Sequence, residues 1–179
     1  TFMALTTAQA AALSTAQVRA ITTADLAAME TADLAALRTA QVAAMRDDQI
    51  DALSAEQLAA LGTQLVRALT AGQLARLDAE DMAALGSQQI AALSTAQVAT
   101  LSELQVAALD SADVAALSTA QVAALSVDNV AALTGEAVVG LTTAQMRALS
   151  TAQVAALESA DLALMETADL AALGTAQIR

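Results

Sequence analysis

From Thr6 to Arg179 the chain repeats itself every eight residues with no insertion or deletion, giving about 22 units. The octad Ser-Thr-Ala-Gln-Val-Ala-Ala-Leu stands at Ser118–Leu125 and again at Ser150–Leu157. Numbering the unit from Thr6, position 8 is Leu, Ile or Met in all 21 complete units, and position 5 is apolar in all 22. Position 7 is Ala in 17 of 21, the exceptions being Arg76, Thr100, Gly140 and Leu164. Position 4 is Gln, Asp or Asn in 20 of 22, the exceptions being Leu65 and Ala137. Charge enters freely at the other positions, as Arg19, Asp51, Glu56, Arg67, Glu80 and Arg147 show. Restricted positions mark burial, so positions 5, 7 and 8 are predicted to face inward and positions 1, 2, 3 and 6 to face water.

The period decides the fold class. Ala, Leu, Gln and Arg favour helix, and nothing alternates as a strand does. One unbroken helix fails on geometry: eight residues turn it by about 800°, so the apolar stripe drifts by about 80° per unit. Each unit instead carries a helix-start signal. Ser or Thr at position 1 and Gln at position 4 form a capping box, and Leu before the cap pairs with Val at position 5 as a hydrophobic staple. The pairs Ser14/Gln17, Ser94/Gln97, Ser118/Gln121 and Ser150/Gln153 show the box, and Val18, Leu53, Val98, Leu101, Val122, Leu125, Val154 and Leu157 are predicted core. Where Gln becomes Asp, as at Asp25, Asp33, Asp113, Asp161 and Asp169, a negative charge still favours the helix dipole. Five units lack a good cap, with Glu30, Arg38, Arg46, Glu158 and Glu166 at position 1; there the cap either slips by one residue or the helix runs on.

A helix restarting every eight residues is too short to persist alone. It needs neighbours that bury its apolar face. The prediction is an all-α solenoid or superhelix of about 22 short capped helices, one per octad, with Ala at position 7 letting backbones approach. Three or four units per turn, at roughly 8–10 Å between stacked helices, give a length on the order of 45–75 Å, against about 270 Å for one straight helix. The six glycines define no linker, so residues 1–179 read as one array. Its least regular unit, Thr134–Leu141, carries two glycines and is the candidate for a local bend.

Composition narrows the chemistry. There is no Pro, Cys, His, Trp, Tyr or Lys, and Phe2 is the one aromatic residue. The acids and bases on offer are carboxylates and arginines, and the Ser and Thr residues recur as caps, so enzyme activity is not expected. No cofactor is expected either, since no dinucleotide or P-loop glycine motif occurs. A net charge of −12 argues against nucleic acid and anionic lipid. No apolar run is long enough to insert in a membrane. Two acidic clusters, Asp47, Asp48 and Asp51 and then Asp78, Glu80 and Asp81, are Ca²⁺ candidates, although neither places ligands at alternating loop positions and first-turn acids also complement helix dipoles. Thr recurs at position 2 and would form outer rows suited to ice or another ordered surface. The start, Thr1-Phe2-Met3-Ala4-Leu5, has no basic region or apolar run of a signal peptide, and without an initiator Met the chain reads as a slice of a longer array. Neither end carries a polar capping unit, which leaves room for a protein partner or for self-association through the ends.

The motif Ser/Thr-Thr-Ala-Gln-Val-Ala-Ala-Leu resembles the short Ala/Gln/Thr-rich tandem repeats of very large bacterial surface and secreted proteins. That resemblance covers nearly the whole chain and implies a spacer, stalk or scaffold at the cell surface or outside it. Locally, Leu-Thr/Ser-x-x-Gln-Val-x-Ala-Leu is similar to the first helix of transcription-activator-like effector repeats. Those repeats add a second helix and a base-reading loop that are missing here, so the likeness places position 1 at the cap and implies no DNA binding. Alternatives to the structural role are a protein-binding α-solenoid offering a groove or end face, surface binding through the Thr rows, and an engineered repeat.

Overall fold

In the computed structural model the described residues are 5–175 and 177; Phe2 and Arg179 lie outside them. They contain 21 helices and, among the described residues, no strand. The chain divides into two compact units, Thr1–Ala92 and Leu93–Arg179. The first holds α1 (Thr7–Ala12), α2 (Thr15–Ala20), α3 (Thr23–Ala27), α4 (Thr31–Ala35), α5 (Thr39–Ala43), α6 (Asp47–Asp51), α7 (Ala55–Ala59), α8 (Thr63–Ala68), α9 (Ala71–Leu74), α10 (Ala79–Ala84) and α11 (Ser87–Ala92). The second holds α12 (Thr95–Val98), α13 (Glu103–Ala107), α14 (Ser111–Ala116), α15 (Thr119–Ala124), α16 (Val127–Ala131), α17 (Gly135–Val139), α18 (Thr143–Ala148), α19 (Thr151–Ala156), α20 (Ser159–Leu162) and α21 (Thr167–Ala171). There is one helix in each of the first 21 octads, numbered alike, and each is four to six residues long.

The corner between helices is built from two extended residues. Position 8 closes the longer helices with φ near −60° and ψ near 140°, as Leu13 (−59°, 140°) and Leu125 (−61°, 143°) do. Position 1 follows in extended conformation, as Ser14 (−72°, 159°) does. Many helices elsewhere end on a left-handed residue, usually Gly; here no described residue has positive φ. The five poorly capped octads turn the same corner. Glu30, Arg38, Arg46, Glu158 and Glu166 are all extended at the N-cap, so the helix neither runs on nor shifts its cap by one. None of the five position-1 side chains makes a cap bond; at Arg38 and Arg46 the N-cap N–H still donates to Gln41 and Gln49, and the flanking position-8 residues are buried at all five.

Within each unit a helix stacks on the helix three octads further on: α1 on α4, α5 on α8 and α8 on α11 in the first, α14 on α17 and α18 on α21 in the second. The interior is a thin aliphatic layer from positions 5 and 8. Val18, Val98 and Val122 are fully buried, and Leu53, Leu101, Leu125, Val154 and Leu157 nearly so. The inward set departs from the sequence expectation at one place. Position 7 is half-buried or exposed, as at Ala20, Ala44, Ala84 and Ala124, while position 4 is buried through most of the array. Ala is favoured at position 7 because it sits at the rim of the stack, where a neighbouring backbone passes. The limit is Gly140, where an added Cβ would lie 2.2 Å from the Ser111 carbonyl oxygen. Thr134–Leu141 accordingly forms an ordinary capped helix, α17, with Ala137 and Val138 fully buried, and its Gly140 admits α14 at short range. No described helix is long and apolar enough to cross a membrane.

Candidate functional site

The most specific chemistry lies at position 4, where most Gln side chains work in two directions, Gln9 and Gln17 making only the local bond among the described residues. The Gln Oε1 accepts the N-cap N–H of its own octad: Ser14 at 2.8 Å from Gln17, Ser94 at 2.8 Å from Gln97, Ser118 at 2.7 Å from Gln121 and Ser150 at 2.8 Å from Gln153. The Ser hydroxyl in turn accepts the Gln backbone N–H at 3.2 Å in all four. That is the local half. In the other direction the Gln Nε2 reaches the helix four octads earlier. Gln41 donates to the carbonyls of Ala10 (2.9 Å) and Leu13 (2.7 Å), and Gln49 to Val18 and Ile21 (both 2.8 Å). Gln57, Gln73 and Gln89 repeat this in the first unit, toward Leu26 and Met29, Val42 and Met45, and Leu58 and Leu61. In the second unit Gln145 donates to Val114 and Leu117, Gln153 to Val122 and Leu125, and Gln177 to Met146 and Leu149. Gln121 reaches Leu93 at 2.7 Å, and the shorter Asn129 reaches Leu101 at 2.9 Å.

This ladder answers a fixed problem of short helices. A helix of about six residues cannot satisfy its last carbonyls internally. The carbonyls at positions 5 and 8 lie beside the aliphatic layer, where an unmet acceptor costs about 1–3 kcal/mol. One amide side chain serves both and also meets the first N–H of its own helix. Among the described residues no buried side-chain polar atom lacks a partner. Stacking at three octads and bonding at four put the superhelical turn between three and four octads within each unit.

The charged groups lie outside the ladder. Arg46 grips Asp48, its Nε 2.9 Å from Oδ1, and its Nη1 donates to the Arg19 carbonyl. That contact holds the exposed Asp48 carboxyl below its ordinary range. Asp51 is held by Arg76 through Nε (2.8 Å) and Nη2 (2.5 Å). Asp78 caps α10, accepting the N–H groups of Glu80 (2.8 Å) and Asp81 (2.9 Å). Partial burial pushes the Asp81 carboxyl up, against a lowering bond from Asp78, and the charges of Asp78, Glu80 and Asp51 add to the rise. Burial likewise raises Asp113. Among the described residues no three such side chains converge as a metal site; the acids of both clusters other than Asp47 and Glu80 are taken up by arginines or helix N–H groups. A shallow open cleft near Met29, Glu30, Ser54 and Glu56 lies over one corner of the first unit. Position-2 threonines are exposed or half-buried, and Thr143 donates to Asp169 at 2.7 Å.

The chain matches the model of the ALTTAQ repeat at residues 26–63, 74–111 and 106–143, more than half of its length. The chain belongs to the ALTTAQ repeat family. No curated protein matches it. The family hexapeptide stands verbatim at Ala4–Gln9 and reads positions 7, 8, 1, 2, 3 and 4 of the octad. An ALTTAQ repeat is therefore written across the corner, and its Gln is the residue that ties one turn to the next. The outward reach of that Gln is what the sequence reading missed. The signal for it was available: Glu would close a capping box equally well, yet Glu never occupies position 4 although the chain uses it at Glu30, Glu56, Glu80, Glu103, Glu136, Glu158 and Glu166. A carboxylate cannot donate to two carbonyls, so the octads with Asp at position 4 (Asp25, Asp33, Asp81, Asp113, Asp161 and Asp169) lack the distant bonds.

Proposed function

We propose that this ALTTAQ array is a structural repeat module, a spacer or scaffold whose output is length set by the number of octads. The observation that carries the reading is the ladder itself. The same side chain bonds the same two carbonyls four octads back, in octad after octad of both units. Each octad depends on near neighbours alone, so stability accumulates unit by unit, as in other repeat arrays. The reading assigns the array no catalytic step, and it draws support from the residues on offer: the chain has no His, Cys, Lys or Tyr.

The test is a length series. Insertion of whole octads should lengthen the particle by about 2–3 Å each, from one stacked layer of roughly 8–10 Å per turn. Helicity per residue should stay constant. Insertion of half an octad should disrupt the array, because the Gln donors then face the wrong carbonyls. Small-angle scattering reads the first and circular dichroism the second. A maximum dimension that does not scale with octad number would overturn the proposal.

A second reading, a protein-binding α-solenoid, draws on one observation. The large exposed apolar side chains Leu104, Val127, Val139 and Leu164 all lie in the second unit, the first three on α13, α16 and α17 and Leu164 just after α20; α13 stacks on α16 and α17 on α20. Isolated apolar side chains are ordinary on surfaces, so the spacer reading is preferred.

A further inference from the structure

Inside the first unit the ladder is interrupted at a carboxylate. Gln73 and Gln89 each reach a position-5 and a position-8 carbonyl four octads back. In the octad between them position 4 is Asp81, and the carbonyls in the equivalent register are those of Ile50 and Leu53. The Ile50 carbonyl accepts the Leu53 N–H at 3.0 Å. The Leu53 carbonyl accepts nothing among the described residues, although Leu53 is only 6% exposed. Asp81 is half-buried; its Oδ2 accepts the Asp78 N–H at a long 3.2 Å, and its Oδ1 has no donor among the described residues. The chain thus sets an acceptor toward an acceptor at the place where the neighbouring octads set a donor. A side chain of this length spans the gap. Asn129, one methylene shorter than Gln, donates to the Leu101 carbonyl at 2.9 Å from the same octad position.

We infer that Asp81 is a proton-dependent rung: as a carboxylate it leaves the ladder open, and as a carboxylic acid it donates its O–H to the Leu53 carbonyl and closes it. The proton comes from solvent, and no bond is broken. The surroundings favour its uptake. Burial, with the negative charges of Asp78, Glu80 and Asp51, pushes this carboxyl up, against the lowering bond from Asp78. The helix stacked on α10 within the first unit is α7, and its charged residue is another acid, Glu56. The cation beside the cluster, Arg76, is engaged by Asp51. Among the described residues the carboxylates do not converge as a metal site. With the folded-state pKa above the ordinary 3.8, the folded chain binds the proton more tightly than the unfolded chain. Stability at this rung is therefore gained as pH falls through the raised pKa, and the gain is complete near the ordinary value. Acid tightens the array here, where the usual paired carboxylate would loosen it. The inference rests on the ladder and is independent of the spacer reading.

Carbon-detected NMR of the whole chain, titrated from neutral pH into the acid range, reads both ends of the bond. The Asp81 side-chain carboxyl should titrate above 3.8, and the Leu53 backbone carbonyl resonance should move along the same curve. In D81N, a permanent donor, the Leu53 resonance should hold its acid position at every pH. The urea midpoint of D81N should exceed the parent's at neutral pH, and the gap should close on acidification. E80Q, which removes a neighbouring charge, should lower the Asp81 titration while the Leu53 resonance still follows it. An Asp81 carboxyl that titrates at or below 3.8 overturns the inference. So does a Leu53 resonance indifferent to the state of Asp81, or one moved at neutral pH by millimolar Ca²⁺ in place of acid.

Discussion

Replacing Gln49 with Leu isolates what the ladder contributes. Gln49 is 0% exposed and makes three bonds: it accepts from the Arg46 N–H at 2.9 Å and donates to the Val18 and Ile21 carbonyls, both at 2.8 Å. Val18 keeps a second partner, the Ile21 N–H at 3.2 Å. Leu therefore leaves the buried Ile21 carbonyl unmet, at about 1–3 kcal/mol, and the N–H of the half-buried Arg46 unmet, at about 1 kcal/mol, and a loss of about 2–4 kcal/mol is expected. Gln17→Leu is the control, since it occupies the same octad position without a distant acceptor. It loses one exposed bond, to the Ser14 N–H, a loss of about 0.5–1 kcal/mol. Urea denaturation followed by far-ultraviolet circular dichroism reads the difference, as a midpoint separated by about 1 M for a slope of about 2 kcal/mol/M. Because repeat arrays need not unfold in one step, amide hydrogen exchange in α2 and α6 locates the loss. Gln49→Glu should be worse than Leu at neutral pH, with a carboxylate set against two carbonyl oxygens, and should recover on acidification. Equal losses at Gln49 and Gln17 would refute the claim that the distant bonds hold successive turns together.

The other expectations follow from the same geometry. Asp81→Gln places an amide four octads after Ile50 and Leu53 and removes a carboxylate facing Asp78, Glu80 and Asp51; it should stabilise by about 1 kcal/mol, seen as a higher urea midpoint. Gly140→Ala should destabilise by about 1–3 kcal/mol, since its Cβ meets the Ser111 backbone, whereas Gly62→Ala, with nothing within 4 Å, should cost only a few tenths of a kcal/mol; chemical denaturation of both separates the two. Asp113→Asn tests the raised carboxyl. Burial lifts its folded-state pKa above the ordinary 3.8, so the folded chain binds the proton more tightly than the unfolded chain. Its destabilisation is complete above the folded pKa and disappears as pH falls to 3.8 and below. The variant should exceed the parent in stability at pH 7, with the gain fading through the acid range in a series of denaturation curves.

Much of the fold was legible because the octad states it locally. The cap at Ser118, the staple of Leu117 with Val122 and the unbroken eight-residue register require a helix that stops and restarts, and the structure has one helix in each of the first 21 octads. The core at Val18, Leu101 and Val154 followed from the narrow choice of residues at positions 5 and 8. Two things were hidden. Ala at position 7 looked like core because small residues are selected both in a dry interior and at a rim where backbones pass, and composition does not separate the two. Gln at position 4 looked fully explained by its own helix. Its second role depends on which octad comes to lie behind it, a property of the superhelical turn that no single octad encodes. The five joints at Glu30, Arg38, Arg46, Glu158 and Glu166 were ambiguous for a related reason: none has a capping side chain at position 1, and their breaks accompany burial of Met29, Leu37, Met45, Leu157 and Met165, with Gln41 and Gln49 still accepting the N-cap N–H at Arg38 and Arg46.

The corner made of two ordinary extended residues bears on how such a chain changes over generations. A hinge that demanded a left-handed glycine would have to be copied faultlessly each time the gene gained or lost a unit. Here any in-frame duplication of an octad's codons delivers a segment already able to turn, and a later point change at the first residue, even to Glu or Arg, leaves the bend in place. Gene slippage and slow drift can therefore reshape the outside of the array while the amides that recur at position 4 keep bonding one turn to the next.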